Sequence, residues 1–177
     1  MARNIEIKAR VPNPSQLAAF VQAASDSPPQ RLRQVDTFFS VPHGRLKLRV
    51  ISGRDAELIY YQRDNKPGPK KSSYKRFPVW LPRVVRRVLS LVLLTRGEVV
   101  KERFVYKIGQ TRIHLDHVQT LGVFVELEVV LSREQTEQEG IKTAERIMDD
   151  LQISESDLVE LSYIDLLTIS QNRASLH

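Results

Sequence analysis

Strand after strand, this chain sets a charged stripe against an aliphatic one. In NIEIKAR, Asn4, Glu6, Lys8 and Arg10 fall on one face of an extended strand, with Ile5, Ile7 and Ala9 on the other. GRLKLRV sets Lys47 and Arg49 against Leu46, Leu48 and Val50. LIYYQRD puts Arg63 in phase with Tyr61 and Ile59, and VVKERFVY puts Lys101 and Arg103 in phase with Val105. In TRIHLDH, Arg112, His114 and Asp116 oppose Ile113 and Leu115. In FVELEVV, Glu126 and Glu128 oppose Val125, Leu127 and Val129. The charges recur at i, i+2 and several pairs share one sign, unlike the mixed Lys, Glu, Thr and Ser of a solvated face.

Eight segments read as strands, near Arg3–Val11, Leu32–Ser40, Gly44–Ile51, Ala56–Arg63, Ser72–Val79, Glu98–Ile108, Gln110–Asp116 and Gly122–Leu131. Breaks fall at Pro42-His43-Gly44, Ser52-Gly53-Arg54-Asp55, Asn65-Lys66-Pro67-Gly68-Pro69 and Gly109. Helices are expected over Ser15–Ala24, Arg83–Leu94 and Arg133–Leu151. The last carries Ser132 as N-cap and Gln135 three residues on, a capping-box pattern. Short helical pieces are expected after Ser154.

Eight strands joined mostly by short turns suggest an antiparallel sheet closed into a barrel. Two arrangements nevertheless fit the stripes. An open sheet packs its aliphatic face on the helices and leaves its charges wet. A closed barrel turns its charges inward and is covered by the helices. A dry, charge-lined interior costs several kcal/mol per ion, and is tolerable when water, metal and an anionic ligand share the lumen. The alternation alone leaves both open.

Composition narrows the function classes. A chain of 177 residues with 41% hydrophobic and 27% charged residues is expected to form one soluble globular domain, over residues 1–170, with a tail at 171–177. The absence of cysteine excludes disulfides and thiolate metal sites. No signal peptide is read at the N-terminus. The apolar run Val84–Leu94 contains Arg86 and Arg87, is too short for a bilayer, and reads as a core-packed helix whose Arg83, Arg86 and Arg87 mark the exposed side. A cytoplasmic location without a membrane partner is the expectation. The formal charge of +6 favours an anionic partner. Lys70-Lys71 and Arg83–Arg87 are basic enough for nucleic acid. With no zinc finger, RNA-recognition signature or aromatic–basic platform, nucleic acid is not the partner expected.

NIEIKAR resembles the opening signature of the CYTH superfamily, the triphosphate tunnel metalloenzymes, which reads Glu-x-Glu-x-Lys; Glu6 and Lys8 match its second acid and its lysine. Further likenesses follow in order. They are QVDTFFSVPHGRLKLR with Lys47 and Arg49, VVKERFVY with Lys101 and Arg103, QTRIHLDHVQTLGVFVELEVVL with Arg112, Asp116, Glu126 and Glu128, and SYIDLL at Ser162–Leu167. The resemblance covers Asn4 to about Leu167. It implies an α+β fold, an eight-stranded antiparallel barrel with flanking helices and a tunnel for a triphosphate and Mg²⁺ or Mn²⁺. It also implies site residues: Glu6, Lys8, Glu126 and Glu128 catalytic; Lys8, Lys47, Arg49, Arg63, Lys101, Arg103 and Arg112 on the triphosphate; Glu6, Asp116, Glu126 and Glu128 on the metal. One position departs from the signature: Asn4 replaces the first acid, offering a hard cation a neutral oxygen instead of a charge.

The residue types suit that chemistry independently. A triphosphate carries roughly four negative charges. Arg forks bind phosphate bidentately and Lys acts as a point charge. Oxygen ligands suit Mg²⁺ or Mn²⁺, and the metal would join carboxylates to phosphate oxygens. Lys75 and Arg76 are each candidates for one more inward cation, and a single histidine such as His114 is more often structural. A triphosphatase acting on tripolyphosphate, ATP or thiamine triphosphate is the favoured activity. A class IV-type adenylate cyclase and a non-catalytic triphosphate-binding module are the alternatives.

Overall fold

The computed structural model of the chain describes residues 2–52, 55–63 and 68–174. Its elements run β1 (Ala2–Arg10), α1 (Pro14–Ala24), β2 (Gln30–Phe39), β3 (Arg45–Ile51), β4 (Ala56–Arg63), β5 (Lys70–Val79) and α2 (Pro82–Val92). They continue with β6 (Thr95–Ile108), β7 (Thr111–Val118), β8 (Gly122–Val130), α3 (Glu137–Asp150), a single 3₁₀ turn at Glu155–Asp157, and α4 (Tyr163–Ala174). The strands form a closed antiparallel barrel in the order β1-β5-β4-β3-β2-β6-β7-β8. Closure removes the sheet edges and gives the two stripes an inside and an outside.

The aliphatic stripe is the outside. Ile5 and Ile7 of β1, Ile113 and Leu115 of β7, and Val125, Leu127 and Val129 of β8 are buried together with Leu17 and Val21 of α1 and Ala144, Ile147 and Met148 of α3. Each buried Val, Leu, Ile or Met side chain among them contributes about 1.5–3 kcal/mol by leaving water. Contact is close at Gly140, where a Cβ would meet Leu131 at 2.5 Å and Ile5 at 2.7 Å. Of the expected turns, Gly44 adopts φ 67° and has the Tyr60 hydroxyl 2.8 Å from where a Cβ would stand, so glycine is required there. Gly53, Arg54, Asn65, Lys66 and Pro67 lie outside the described residues.

Two helices differ from expectation. Ser132 and Gln135 do exchange capping bonds: Gln135 Oε1 accepts from the Ser132 N–H at 3.0 Å, and Ser132 Oγ accepts from the Gln135 N–H at 3.3 Å. The helix nevertheless starts only at Glu137, behind a second box formed by Thr136 and Glu139. The Arg3 guanidinium donates to the carbonyls of Ser132, Arg133 and Gln135, which an earlier helix would need for its own first turn. The second difference is α2. It lies against β2 and β3, with Val85, Leu89 and Leu93 half covered. Val84, Val88, Leu91 and Val92 stay exposed. α2 is therefore not core-packed: it carries the chain from β5 to β6 along the barrel wall, where no layer covers its outer side.

The last helix closes one end of the barrel. Tyr163, Ile164 and Leu167 pack with Phe38, Val99, Val118 and Phe124, and the Phe124 and Tyr163 rings meet edge-on at 5.1 Å. Asp165 fastens this plug by accepting from Arg45 at 3.3 Å and from Arg96 at 2.8 Å. α4 continues through Ala174, so residues 171–174 are helical, and 175–177 lie outside the described residues.

Candidate functional site

Above the apolar plug the inward stripe encloses a cavity of about 350 Å³. Glu6, Lys8, Lys47, Arg49, Arg63, Lys101, Arg103, Arg112, Glu126 and Glu128 all line it, so ten of the eleven expected site residues come together. His114 lines it as well. Of the two undecided cations, Arg76 lines the cavity, and Lys75 is on the opposite phase of β5.

Two basic clusters organise the walls, each around a buried aspartate. On β2 and β3, Asp36 stands opposite Arg49. Its Oδ1 accepts from Arg49 Nε at 2.8 Å, and its Oδ2 from Arg49 NH2 and Lys47 Nζ, both at 2.8 Å. Burial pushes Asp36 up, but Arg49 and Lys47 more than reverse this and hold its carboxyl well below the usual range. The cost falls on Lys47: burial, with Arg49 beside it, brings its ammonium down to about 7.

On β6 and β7, Asp116 stands opposite Arg103. It accepts from Arg103 Nε at 2.6 Å and NH2 at 2.5 Å, from Lys101 Nζ at 2.8 Å and from the Tyr163 hydroxyl at 3.0 Å. Asp116 is wholly buried, with both oxygens taken. It is the expected site residue that does not line the cavity, being covered by these partners.

The acidic wall is β1 with β8. Glu6 is directly opposite Glu128, and Lys8 directly opposite Glu126. Glu6 accepts from Arg63 at 2.8 Å. Glu126 lies 3.2 Å from Lys8 Nζ and accepts from Arg103 NH2 at 2.5 Å. Burial raises its carboxyl, and Lys8 and Arg103 return it well below the usual range. Glu128 accepts from Asn4 Nδ2 at 2.6 Å and Arg112 at 3.4 Å. The buried Asn4 Oδ1 has no hydrogen-bond partner. His114 lies between the acids, Nδ1 4.0 Å from Glu126 and Nε2 3.7 Å from Glu128, and burial lowers its pKa.

Asp36 and Tyr163 line the cavity outside the expected set, and Lys70 is buried. Asp36 shows in QVDTFF only as one acid in phase with Gln34 and Phe38. Lys70 reads in the sequence as half of a basic Lys-Lys pair. It is buried, donating to the carbonyls of Val159 and Glu160, and Lys71 points outward to Glu137. Tyr163 lies under Lys8, whose Nζ is 3.9 Å from the ring centroid, a cation–π contact. Phase with Ser72 and Arg76 was the available signal for Lys70. For Tyr163 nothing local pointed inward.

Whether the donors suit a hard divalent cation can be judged from three features. They are oxygen donors; two of the carboxylates, Glu6 and Glu128, oppose each other across a strand pair, which is unfavourable without positive charge nearby; and Asn4 leaves a buried amide oxygen unused beside them. The set fits such an ion. Among the described residues, no three Asp, Glu or His side chains form a ready cage, and each carboxylate is now turned to a cation or an amide.

Solved structures share this architecture. The PH1012 protein of Pyrococcus horikoshii is similar at TM-score 0.82 and 23% identity, over 92% of this chain and 98% of that one. A candidate adenylate cyclase of Vibrio parahaemolyticus is similar at 0.75 and 17%, over 93% and 97%. HpAC1 of Hippeastrum, a candidate adenylyl cyclase described as having a dominant triphosphatase activity, is similar at 0.67 and 13%, over 96% of each chain. At these identities the likeness shows the fold alone. No curated protein matches the chain. The model of the CYTH domain matches residues 2–163, the whole barrel and the chain up to the first residue of α4, and the chain belongs to that family.

Proposed function

We propose that this protein hydrolyses a triphosphate held in the barrel cavity, with Mg²⁺ or Mn²⁺ as cofactor. The observation that carries this reading is the cavity wall: inward Lys and Arg from β1, β3, β4, β6 and β7 around about 350 Å³, facing acids on β1 and β8. A polyanion of roughly four charges needs several cations at fixed positions, and strands hold them well. Lys47 and Arg49 are the pair open to phosphate, with Asp36 keeping the Arg fork aligned. Arg103 and Lys101 stay anchored on Asp116 and supply field more than contact. Lys8 fixes Glu126, and Arg63 fixes Glu6.

Glu6, Glu126 and Glu128 would hold the cation, with Asn4 Oδ1 as a neutral oxygen. A bound divalent ion neutralises phosphate charge and lowers the pKa of a water beside it. Asp116 leaves the expected metal set for an anchoring role, because Arg103, Lys101 and Tyr163 already occupy it.

The test is product identification with tripolyphosphate, thiamine triphosphate and ATP, each with Mg²⁺ or Mn²⁺. Orthophosphate release supports the proposal. Cyclic AMP with pyrophosphate would make the protein a cyclase, and binding without products a triphosphate-binding module. Glu128→Gln should lower turnover at least about a hundredfold, near 2.7 kcal/mol of barrier, with the metal-free melting temperature kept.

A further inference from the structure

We propose that the outer side of α2, with the turn that leads into it, docks this protein on an anionic lipid surface. The helix is sharply divided. At 3.6 residues per turn Arg83, Arg86, Arg87 and Ser90 share one side and the valines and leucines the other. The barrel wall uses only part of the apolar side. Trp80 is 91% exposed and Leu91 80%, and Leu81, Val84, Val88 and Val92 stand open beside them. Phe77, on the outward face of β5, extends the patch. Monomeric surfaces rarely leave such an apolar area without a partner.

Charge identifies the partner. From residue 65 to 97 the chain has nine of its 27 Lys and Arg and none of its 21 Asp and Glu; of these, Lys70 is buried and Lys71, Arg76 and Arg96 pair with Glu137, Glu57 and Asp165. Arg86 is paired with Glu98 at 2.9 Å. Arg83, Arg87 and Lys75 have no acidic partner among the described residues. An apolar strip ending in an exposed Trp and flanked by unpaired Arg is built for the headgroup layer. There the strip enters the acyl boundary, the indole sits at the interface and guanidinium groups meet phosphates. A second copy of the chain is a poorer fit, since a two-fold contact would bring unpaired arginines together beside a single acid, Glu98, that Arg86 already holds. Nucleic acid would meet the arginines but leave the Val and Leu strip unused. No helix among the described residues is long and apolar enough to cross a membrane, and lying on one does not require it.

Trp80 is the chain's only tryptophan, so the native protein reports on its own docking. The probe is unilamellar vesicles of phosphatidylcholine, alone or with about a third phosphatidylglycerol. Trp80 emission should shift to the blue and become shielded from iodide with the anionic vesicles only, and the protein should co-sediment with them. Raising salt from about 0.05 to about 0.5 M should weaken binding, since the Debye length falls severalfold. Leu91→Glu should reduce partitioning at least about tenfold with the melting temperature unchanged, because Leu91 is already in solvent. Paired Arg83→Ser and Arg87→Ser should remove the preference for anionic lipid. The proposal is overturned by an unshifted Trp80 and no co-sedimentation with either vesicle, by equal binding to both, or by lipid-free self-association that Leu91→Glu abolishes. Binding of RNA or DNA that Arg83→Ser and Arg87→Ser abolish, in a protein that ignores anionic vesicles, overturns it as well.

Discussion

Lys47-Leu48-Arg49 on β3 and Lys101-Glu102-Arg103 on β6 present one pattern to the barrel interior, each with an aspartate opposite its arginine. Asp36 faces Arg49 and Asp116 faces Arg103. The surroundings differ. The Lys47 and Arg49 side chains are each 14% exposed, against 2% for Lys101 and 7% for Arg103. Asp36 has two cationic partners, whereas Asp116 also takes the Tyr163 hydroxyl, and Arg103 reaches on to Glu126. The first cluster borders water and has cations to lend; the second is locked between the plug and the acidic wall. Identical local patterns thus become, on our reading, a ligand clamp and a structural anchor.

The largest expected difference is in stability. Asp116→Asn strands two buried cations and should cost about 3–5 kcal/mol. Asp36→Asn should cost clearly less, because Lys47, already near 7, can give up its proton. Urea unfolding of both variants decides, and equal losses would break the comparison. Next comes ligand affinity. Arg49→Ala should weaken binding of a non-hydrolysable triphosphate by about ten- to a hundredfold, the worth of a charge-assisted contact of roughly 1.5–3 kcal/mol. Calorimetry should show this with the fold intact; unchanged affinity would place Arg49 with the anchors.

A pH dependence sharpens the contrast further. Burial and Arg49 have lowered Lys47 to about 7, so free Lys47 is largely neutral at higher pH. A bound polyanion restores the charge, and binding then takes up a proton. Affinity should fall as pH rises above about 7.5, where a terminal phosphate of pKa near 6 is already ionised, by at most about tenfold per unit. Lys47→Met should flatten that slope, and a slope that survives would show that another group carries it. The smallest effect is expected at Tyr163→Phe. Losing one bond to Asp116 should cost about 0.5–1.5 kcal/mol in thermal or urea unfolding, while triphosphate affinity stays put. An affinity loss comparable to that of Arg49→Ala would draw the second cluster into ligand contact.

Legibility followed from how local each signal is. Lys47, Arg49, Glu126 and Glu128 were readable because period-two alternation fixes side-chain phase within one strand. Asp36 and Lys70 share that phase, but as single charges beside apolar or basic neighbours they look ordinary. Asp116 shares the inward phase of Arg112 and His114, but what covers it comes from β6 and α4, on other segments of the chain. The start of α3 shows the same limit: Ser132 and Gln135 make their bonds, and Arg3, some 130 residues away, decides that they cap no helix. At α2 the amphipathic pattern is there in the helix, but a pattern states that a face is apolar and not what will cover it.

What the sequence determined by itself is the set of strands, their two faces and the sign of the charge on each, since these depend on spacing along one extended segment. That the charged face is the inside follows from packing between segments far apart in the chain. That choice needs β1 to close on both β5 and β8, α1 and α3 to cover the aliphatic face, and Tyr163 to seal one end. The tertiary structure also decided which cations are anchored and which are open to a ligand. The charges are the same residues in either case; their energies depend on the distance to partners on other strands and on how much water is left between them.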